Sequence, residues 1–298
     1  MMTFMQSRTR AARRLRSALA LFAACIAGAC SGSSTPQSAP SSSAIDAGTG
    51  LLVIVQQRGE LTVATDPNFK PQSYLDSAGN WSGFDVDVAR EIARRLGVKA
   101  HIVSANFDDV VRGKWNQRWD INVGSVTITT DRAQRLWFTR PYYYDPAAFA
   151  VDAGSAIRSV KDLTGKRIGA SSGSTYLAFL QGRIPTARVP APKGIAIEQY
   201  AEDISALQDL ARGNGMKLDA VLTALSEIRG AIASGLRVRV LQPPVFEESL
   251  AVDLDKSSPV DSRSLLWAID PIIQQMRDDG TLRRLSMRYY GVDLTIRR

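Results

Sequence analysis

The chain has 298 residues, enough for roughly two domains at ~150 residues each. Its 45% hydrophobic and 22% charged content belongs to a globular protein with a real core and excludes a disordered or fibrous chain. The formal charge of +8 is concentrated in the leader: Arg8, Arg10, Arg13, Arg14 and Arg16 precede the first acid, Asp46, and loss of residues 1–29 leaves only +3. So small a charge on so long a body gives no basis for a nucleic-acid partner. His101 is the single histidine, which excludes any multi-histidine zinc site and leaves Ser-His-Asp or Cys-His catalysis no base other than His101. Both cysteines, Cys25 and Cys30, lie in the leader, so the body has neither disulfide nor CxxC knuckle. No metal site and no cofactor are expected, and the core alone must stabilise the fold.

Residues 1–29 have the charged start, short apolar stretch and small-residue end of a secretory signal, too short for the ~20 residues of a spanning helix. The run Ala27-Gly28-Ala29-Cys30 resembles a bacterial lipobox, with Ala27 where leucine is usual, and predicts lipidation of Cys30. Simple cleavage near Cys30 is the alternative. Residues 30–56 are assigned to the anchor cysteine and a linker rich in serine, proline, alanine and glycine, a composition that cannot bury enough surface to offset chain entropy. An exported protein is expected, in the periplasm or on the outer face of the cell membrane, held there by lipid.

The body opens with a buried strand, Leu61-Thr62-Val63-Ala64, and a loop over residues 66–79. A helix beginning near Asp85 carries Ala89, Ile92, Ala93 and Leu96 on one face and stops at Gly97. A strand over 100–103, a helix with Val110, Val111 and Trp115, and a strand over 120–123 follow. Strand alternating with helix predicts a parallel α/β sheet. A second α/β unit runs through Arg167-Ile168-Gly169-Ala170, the loop Ser171-Ser172-Gly173-Ser174-Thr175, Ile195-Ala196-Ile197, a helix over 204–212 and a strand over 218–222. Leu265, Ile269, Ile272, Ile273 and Met276 form one helix stripe, broken at Asp279-Gly280 before a final helix. Two α/β lobes with a cleft between them are predicted.

Several ordered motifs carry a resemblance. Gly83-Phe84-Asp85-Val86-Asp87-Val88-Ala89, Thr127-Ile128-Thr129-Thr130-Asp131-Arg132, Pro141-Tyr142-Tyr143, Asp279-Gly280-Thr281-Leu282 and Tyr289-Tyr290-Gly291 together resemble family 3 bacterial solute-binding proteins, the periplasmic amino-acid receptors of ABC importers. Ala191-Pro192-Lys193-Gly194-Ile195 is similar to the histidine-binding members. The resemblance implies a type II, two-lobe periplasmic-binding-protein-like clamp with two hinge crossings, near residues 147–151 and 250–254. Lobe 1 would hold residues 57–146, lobe 2 residues 147–247, and residues 248–298 would return to lobe 1. It implies capture of an amino acid or related small carboxylate, delivery to an ABC permease in the membrane, a monomer, and no catalysis.

The resemblance also assigns residues. Arg132 would grip the ligand's α-carboxylate, since a guanidinium can make two parallel charge-assisted bonds where lysine cannot; the bland alternative is a solvated arginine. Ser125 and Thr127 would touch the ligand's polar head. Ser174 and Thr175 open a helix whose free N–H groups suit a carboxylate, or simply cap it. Phe69 and Phe107 would wall the ligand side chain, with core packing as the alternative. Asp66 would read a basic side chain, or close an Asx turn before Pro67. Arg112 is expected on a solvated helix surface.

One departure stands out. After Asp219-Ala220-Val221-Leu222-Thr223, where the family presents an aspartate to the ligand's α-ammonium, this chain has Ala224. Either the ligand lacks that ammonium or another acid serves, with Glu227 the nearest candidate. Glu227 also supports a rival resemblance, to the cyclohexadienyl dehydratase branch of the same fold, where a glutamate at the matching place acts as general acid on prephenate or arogenate. Phe69-Lys70-Pro71-Gln72-Ser73-Tyr74 is similar to that branch too, whereas Gly173-Ser174-Thr175 and Ala224 depart from it.

Overall fold

A computed structural model describes residues 50–184, 187–213 and 217–297. The first half of the chain contains helix α1 (Leu51–Arg58), β1 (Glu60–Thr65), three short strands β2 (Asn68–Phe69), β3 (Ser73–Leu75) and β4 (Trp81–Ser82), α2 (Phe84–Leu96), β5 (Lys99–Ser104), α3 (Phe107–Arg112), β6 (Ile121–Thr127) and β7 (Leu136–Phe138). The chain then runs through β8 (Tyr143–Asp152), β9 (Arg167–Ser171), α4 (Thr175–Leu180), β10 (Ala196–Tyr200), α5 (Asp203–Ala211), β11 (Ala220–Ala224) and α6 (Leu225–Ala233). It returns through the long β12 (Val238–Asp255) and ends in α7 (Arg263–Asp278) and α8 (Thr281–Tyr290).

One sheet carries the architecture, in the order β10-β9-β11-β8-β12-β6-β1-β5, with β7 also paired to β12. Its outer strands are parallel, β10 with β9 and β1 with both β5 and β6. Its centre is not: β8 runs antiparallel to β11 and β12, and β12 antiparallel to β6 and β7. The all-parallel expectation is therefore corrected to a mixed sheet. The two central strands are crossings rather than steps of a strand–helix–strand repeat, and local alternation cannot reveal their direction.

Each half of this sheet has its own core. On the first side Val63, Ile92, Val123, Ile269, Ile273 and Leu282 pack together, and the opposite face holds Trp115, Trp119, Val126 and Leu136. On the second side one face buries Phe149, Ile168, Phe179 and Leu222, the other Leu207, Val221 and Ile228. Helices cover both faces of each half, as apolar strands buried on both sides require.

Several sequence expectations need revision. The linker assignment of 30–56 runs too far: residues 51–58 are helical, because Leu51-Leu52-Val53-Ile54-Val55 is apolar enough to bury Leu51 and Val55 in the first core. The leader and Cys30 lie outside the described residues. The 66–79 loop contains β2 and β3, with β3 paired to β2 on one side and to β4 on the other. Trp115 is not helical, since α3 ends at Arg112 and Gly113 caps it. Its backbone N–H donates to Asp255 Oδ2 at 2.7 Å and its indole N–H to the Val110 carbonyl at 3.0 Å. The strand expected over 120–123 continues to Thr127, which carries Ser125 and Thr127 within β6 rather than after it.

Candidate ligand-binding site

Where β6 ends against the start of α4, side chains from both halves line one cleft: Asp66, Phe69 and Phe107 on one side, Ser171, Thr175 and Asp203 on the other, with Arg132 and Glu248 also lining it. Of the sequence-predicted residues, Asp66, Phe69, Phe107, Ser125, Thr127, Arg132, Ser174 and Thr175 are all brought here. Glu227 is not among the lining residues.

Arg132 begins a short 3-10 turn, positioned by its own N–H bonding to Thr129 Oγ1 at 3.1 Å. It is only 4% exposed, so the solvated alternative is excluded. Nη1 donates to the Thr127 carbonyl at 2.9 Å and Nη2 to the Gly173 carbonyl at 3.0 Å, while the guanidinium lies 5.2 Å from the Phe107 ring centre. Burial lowers its pKa from a very high starting value, opposed by the charge of Glu248. No ion pair closes on it among the described residues. A buried cation left without an anion costs several kcal/mol, so the geometry suits a ligand carboxylate that takes the unspent N–H donors.

The other predicted residues divide by what they already bond. Ser125 adopts a left-handed φ of 55°, and its hydroxyl bonds Asp85 Oδ2 and the Tyr143 hydroxyl, both at 2.6 Å. Its side chain thus belongs to a buried network with Tyr142, although the residue lines the cleft. Ser174 caps α4: its Oγ accepts the Leu177 N–H at 3.0 Å and donates to the Ser171 carbonyl at 2.6 Å. Asp66 closes an Asx turn by accepting the Asn68 N–H at 2.7 Å, and burial raises its pKa. Capping and turn formation therefore coexist with placement in the cleft. Arg112 is on the exposed surface, paired with Asp109 at 3.5 Å.

Three acids that line the cleft were not foreseen from sequence: Glu202, which accepts the Asn68 side-chain amide at 2.9 Å, Glu248 and Asp203. Glu248, on β12, accepts hydroxyl bonds from Thr127 at 2.6 Å, from Tyr176 at 2.7 Å and from Thr175. Asp203, the first residue of α5, accepts the Ser171 hydroxyl at 3.0 Å. A glutamate amid alternating buried and half-buried positions of a strand is the only signal Glu248 offered; Asp203 looked like any helix-start acid.

Glu227 stands in the first turn of α6 and is only 2% exposed. Its Oε2 accepts the Thr223 hydroxyl at 3.0 Å, and its Oε1 is buried without a partner. Burial first, then the charge of Asp203, pushes its pKa upward. Ala224, the last residue of β11, is buried. Among the described residues no cluster of three or more metal-ligating side chains is positioned to hold an ion.

The family profile of the bacterial extracellular solute-binding proteins, family 3, matches residues 61–292. The L-cystine-binding protein of Escherichia coli (strain K12) is 28% identical over 249 residues, covering 83% of this chain and 88% of that protein. The histidine-binding periplasmic protein of the same strain is 27% identical over 256 residues, covering 84% and 94%. Among solved structures, the ancestral amino acid-binding protein AncCDT-1, a precursor of cyclohexadienyl dehydratase, superposes with a TM-score of 0.69 at 26% identity, covering 81% of this chain and all of that one.

Proposed function

From the premise that this chain belongs to the bacterial extracellular solute-binding proteins of family 3, we propose that it captures a free amino acid outside the cytoplasm and presents it to an ABC permease. The observation that carries this reading is Arg132, a buried guanidinium that lines the cleft with both of its protein bonds spent on carbonyls. Relatives whose names record L-cystine and histidine binding support the ligand class.

In this reading residues 57–146 and 248–298 form one lobe and residues 147–247 the other, closing on the ligand about the crossings near 147–151 and 250–254. Arg132 holds the carboxylate, Phe69 and Phe107 flank the side chain, and Thr127, Ser174 and Thr175 surround the polar head. A ligand that touches both lobes has more affinity for the closed form, and that difference drives closure. Lipidation at Cys30 would keep a monomeric receptor beside its permease.

A second reading has one observation in its favour. Glu227 is an acid whose pKa burial raises well above the ordinary carboxylate range, the direction a general acid in a dehydratase requires. It stands behind the lining residues, with Thr223 on its Oε2, rather than in contact with the cleft.

A thermal-shift screen separates the two. The panel contains L-cystine, L-histidine, L-arginine, their des-amino acids, and prephenate. A ligand at ~100 times its dissociation constant adds about 2.7 kcal/mol of stability. A shift with an amino acid and no turnover of prephenate supports the receptor; turnover of prephenate overturns it.

A further inference from the structure

The acids around the cleft are not spread evenly. Arg132 feels chiefly Glu248 and Asp253, whereas Glu227 feels Asp203, Asp66 and Asp145. One end of the site is cationic and the other is anionic. At the anionic end Asp203 faces the cleft from α5 beside Glu202, Asp66 faces it from the loop after β1, and Glu227 backs Asp203 from α6. Ser171 on β9 and Thr223 on β11 supply the hydroxyls, and Glu248 on β12 adds its charge from the side.

Nothing positive answers them. Among the described residues no lysine, arginine or histidine pairs with Asp203 or Glu227. Thr223 lies within reach of both carboxyl groups but has a single hydroxyl hydrogen to donate. Glu227 Oε1, in a residue 98% buried by its 2% exposure, is left without a partner. Such an acceptor is costly unless something positive or protonated comes to it.

We propose that Asp203, backed by Glu227, is the cation subsite of this cleft, taking the ammonium of a ligand whose carboxylate is held by Arg132, the role for which position 224 supplies no acid. The assignment rests on the receptor reading above. It resolves the choice posed by Ala224: the ligand has an ammonium, and its partner comes from α5 rather than from the end of β11.

The subsite has a measurable chemical consequence. With no cation present, two carboxyl groups in a water-poor pocket are more stable sharing one proton than both ionised. An ammonium docked on Asp203 supplies the positive charge instead, so capture releases that proton to the solvent. The pair should behave as one titrating unit.

The test uses the full-length chain and, as probes, L-arginine, L-histidine and L-cystine with the des-amino analogue of each. Calorimetry at pH 7 in phosphate and in Tris reports proton release as a buffer-dependent heat. The unmodified chain should release protons on binding, and Glu227→Gln should abolish the release. Asp203→Asn should weaken amino-acid binding by about 100-fold while leaving the affinity for the des-amino analogue nearly unchanged. Undiminished amino-acid affinity in Asp203→Asn, or equal losses for both probes, would overturn the subsite. Should Asp203→Asn fail to fold, the proton count in the near-isosteric Glu227→Gln decides: release that persists overturns the proposal. Failure of every probe with the unmodified chain would instead sink the receptor reading itself.

Discussion

Arg132 donates through Nη2 to the carbonyl oxygen of Gly173 at 3.0 Å, joining a turn that follows β6 to the loop that precedes α4. The guanidinium thereby holds the two halves of the molecule together while lining the cleft between them. A ligand carboxylate that took the remaining N–H donors would extend a bridge the protein has already begun.

Arg132→Ala should weaken binding of the captured amino acid by at least about 100-fold, the range found when one partner of a buried charge pair is removed. Arg132→Lys should recover little of this, because an ammonium keeps the charge but loses the planar fork. Calorimetry gives the affinities, and a thermal melt checks that the fold survives. Wild-type affinity in either variant would remove Arg132 from the site.

Gly173 has φ of 66°, and a Cβ there would collide with Oδ1 of Asp108. Gly173→Ala should cost about 1–2 kcal/mol from backbone conformation alone and shift the carbonyl that Arg132 holds. The melting temperature and the ligand affinity are expected to fall together. A drop in the first with no change in the second would separate this loop from binding.

Glu248 gathers three hydroxyls from two halves of the fold, Thr127 on β6 with Thr175 and Tyr176 on α4. An amide can accept only on one of its two positions, so Glu248→Gln should strand at least one donor. Hydrogen bonds to a charged group contribute about 1.5–3 kcal/mol, and the unliganded variant is expected to melt lower. Urea unfolding at constant pH is the direct measurement; an unchanged midpoint with an unchanged slope would refute the bridging role.

Burial raises three further carboxyls into or above the neutral range, Asp85 and Asp145 to about 7 and Asp253 to about 8. Each holds its proton more tightly folded than unfolded, where the value is about 3.9. Their contribution to stability is therefore full below about pH 4 and is lost as pH rises through 7 to 8. Asp253 accepts the Asn122 amide at 2.7 Å through Oδ1, and its Oδ2 has no partner. Asp253→Asn keeps that bond and cannot ionise, so it should flatten the decline by up to about 1.4 kcal/mol per pH unit. Chemical denaturation at several pH values tests this; an unaltered slope would show Asp253 charged in the native state.

Local signals in the sequence located much of this molecule. The stripe Ala89, Ile92, Ala93 and Leu96 with its Gly97 stop marks α2 to within a residue, since periodicity and a left-handed cap are properties of one short segment. Arg132 was legible through the motif around it, though its burial was not. What stayed hidden depends on distant partners. Asp203 is a cleft acid only because α5 meets the loop after β1, and Glu248 is one only because β12 passes between β6 and β8. The antiparallel course of β8 was equally invisible, because a strand's direction is set by its neighbours. Trp115 failed for a different reason: its apolar spacing matched a helix that Gly113 had already ended.

Ala147, early in β8, stands opposite Phe246, midway along β12, and both belong to the second core. The chain thus enters the second half and leaves it at adjoining points, and residues 148–245 hang from that doorway as an insert. Its length and content can drift without stretching the first half. New recognition surfaces can be tried there by exchange of the whole insert, while the β8–β12 pair preserves the alignment that any occupant must meet.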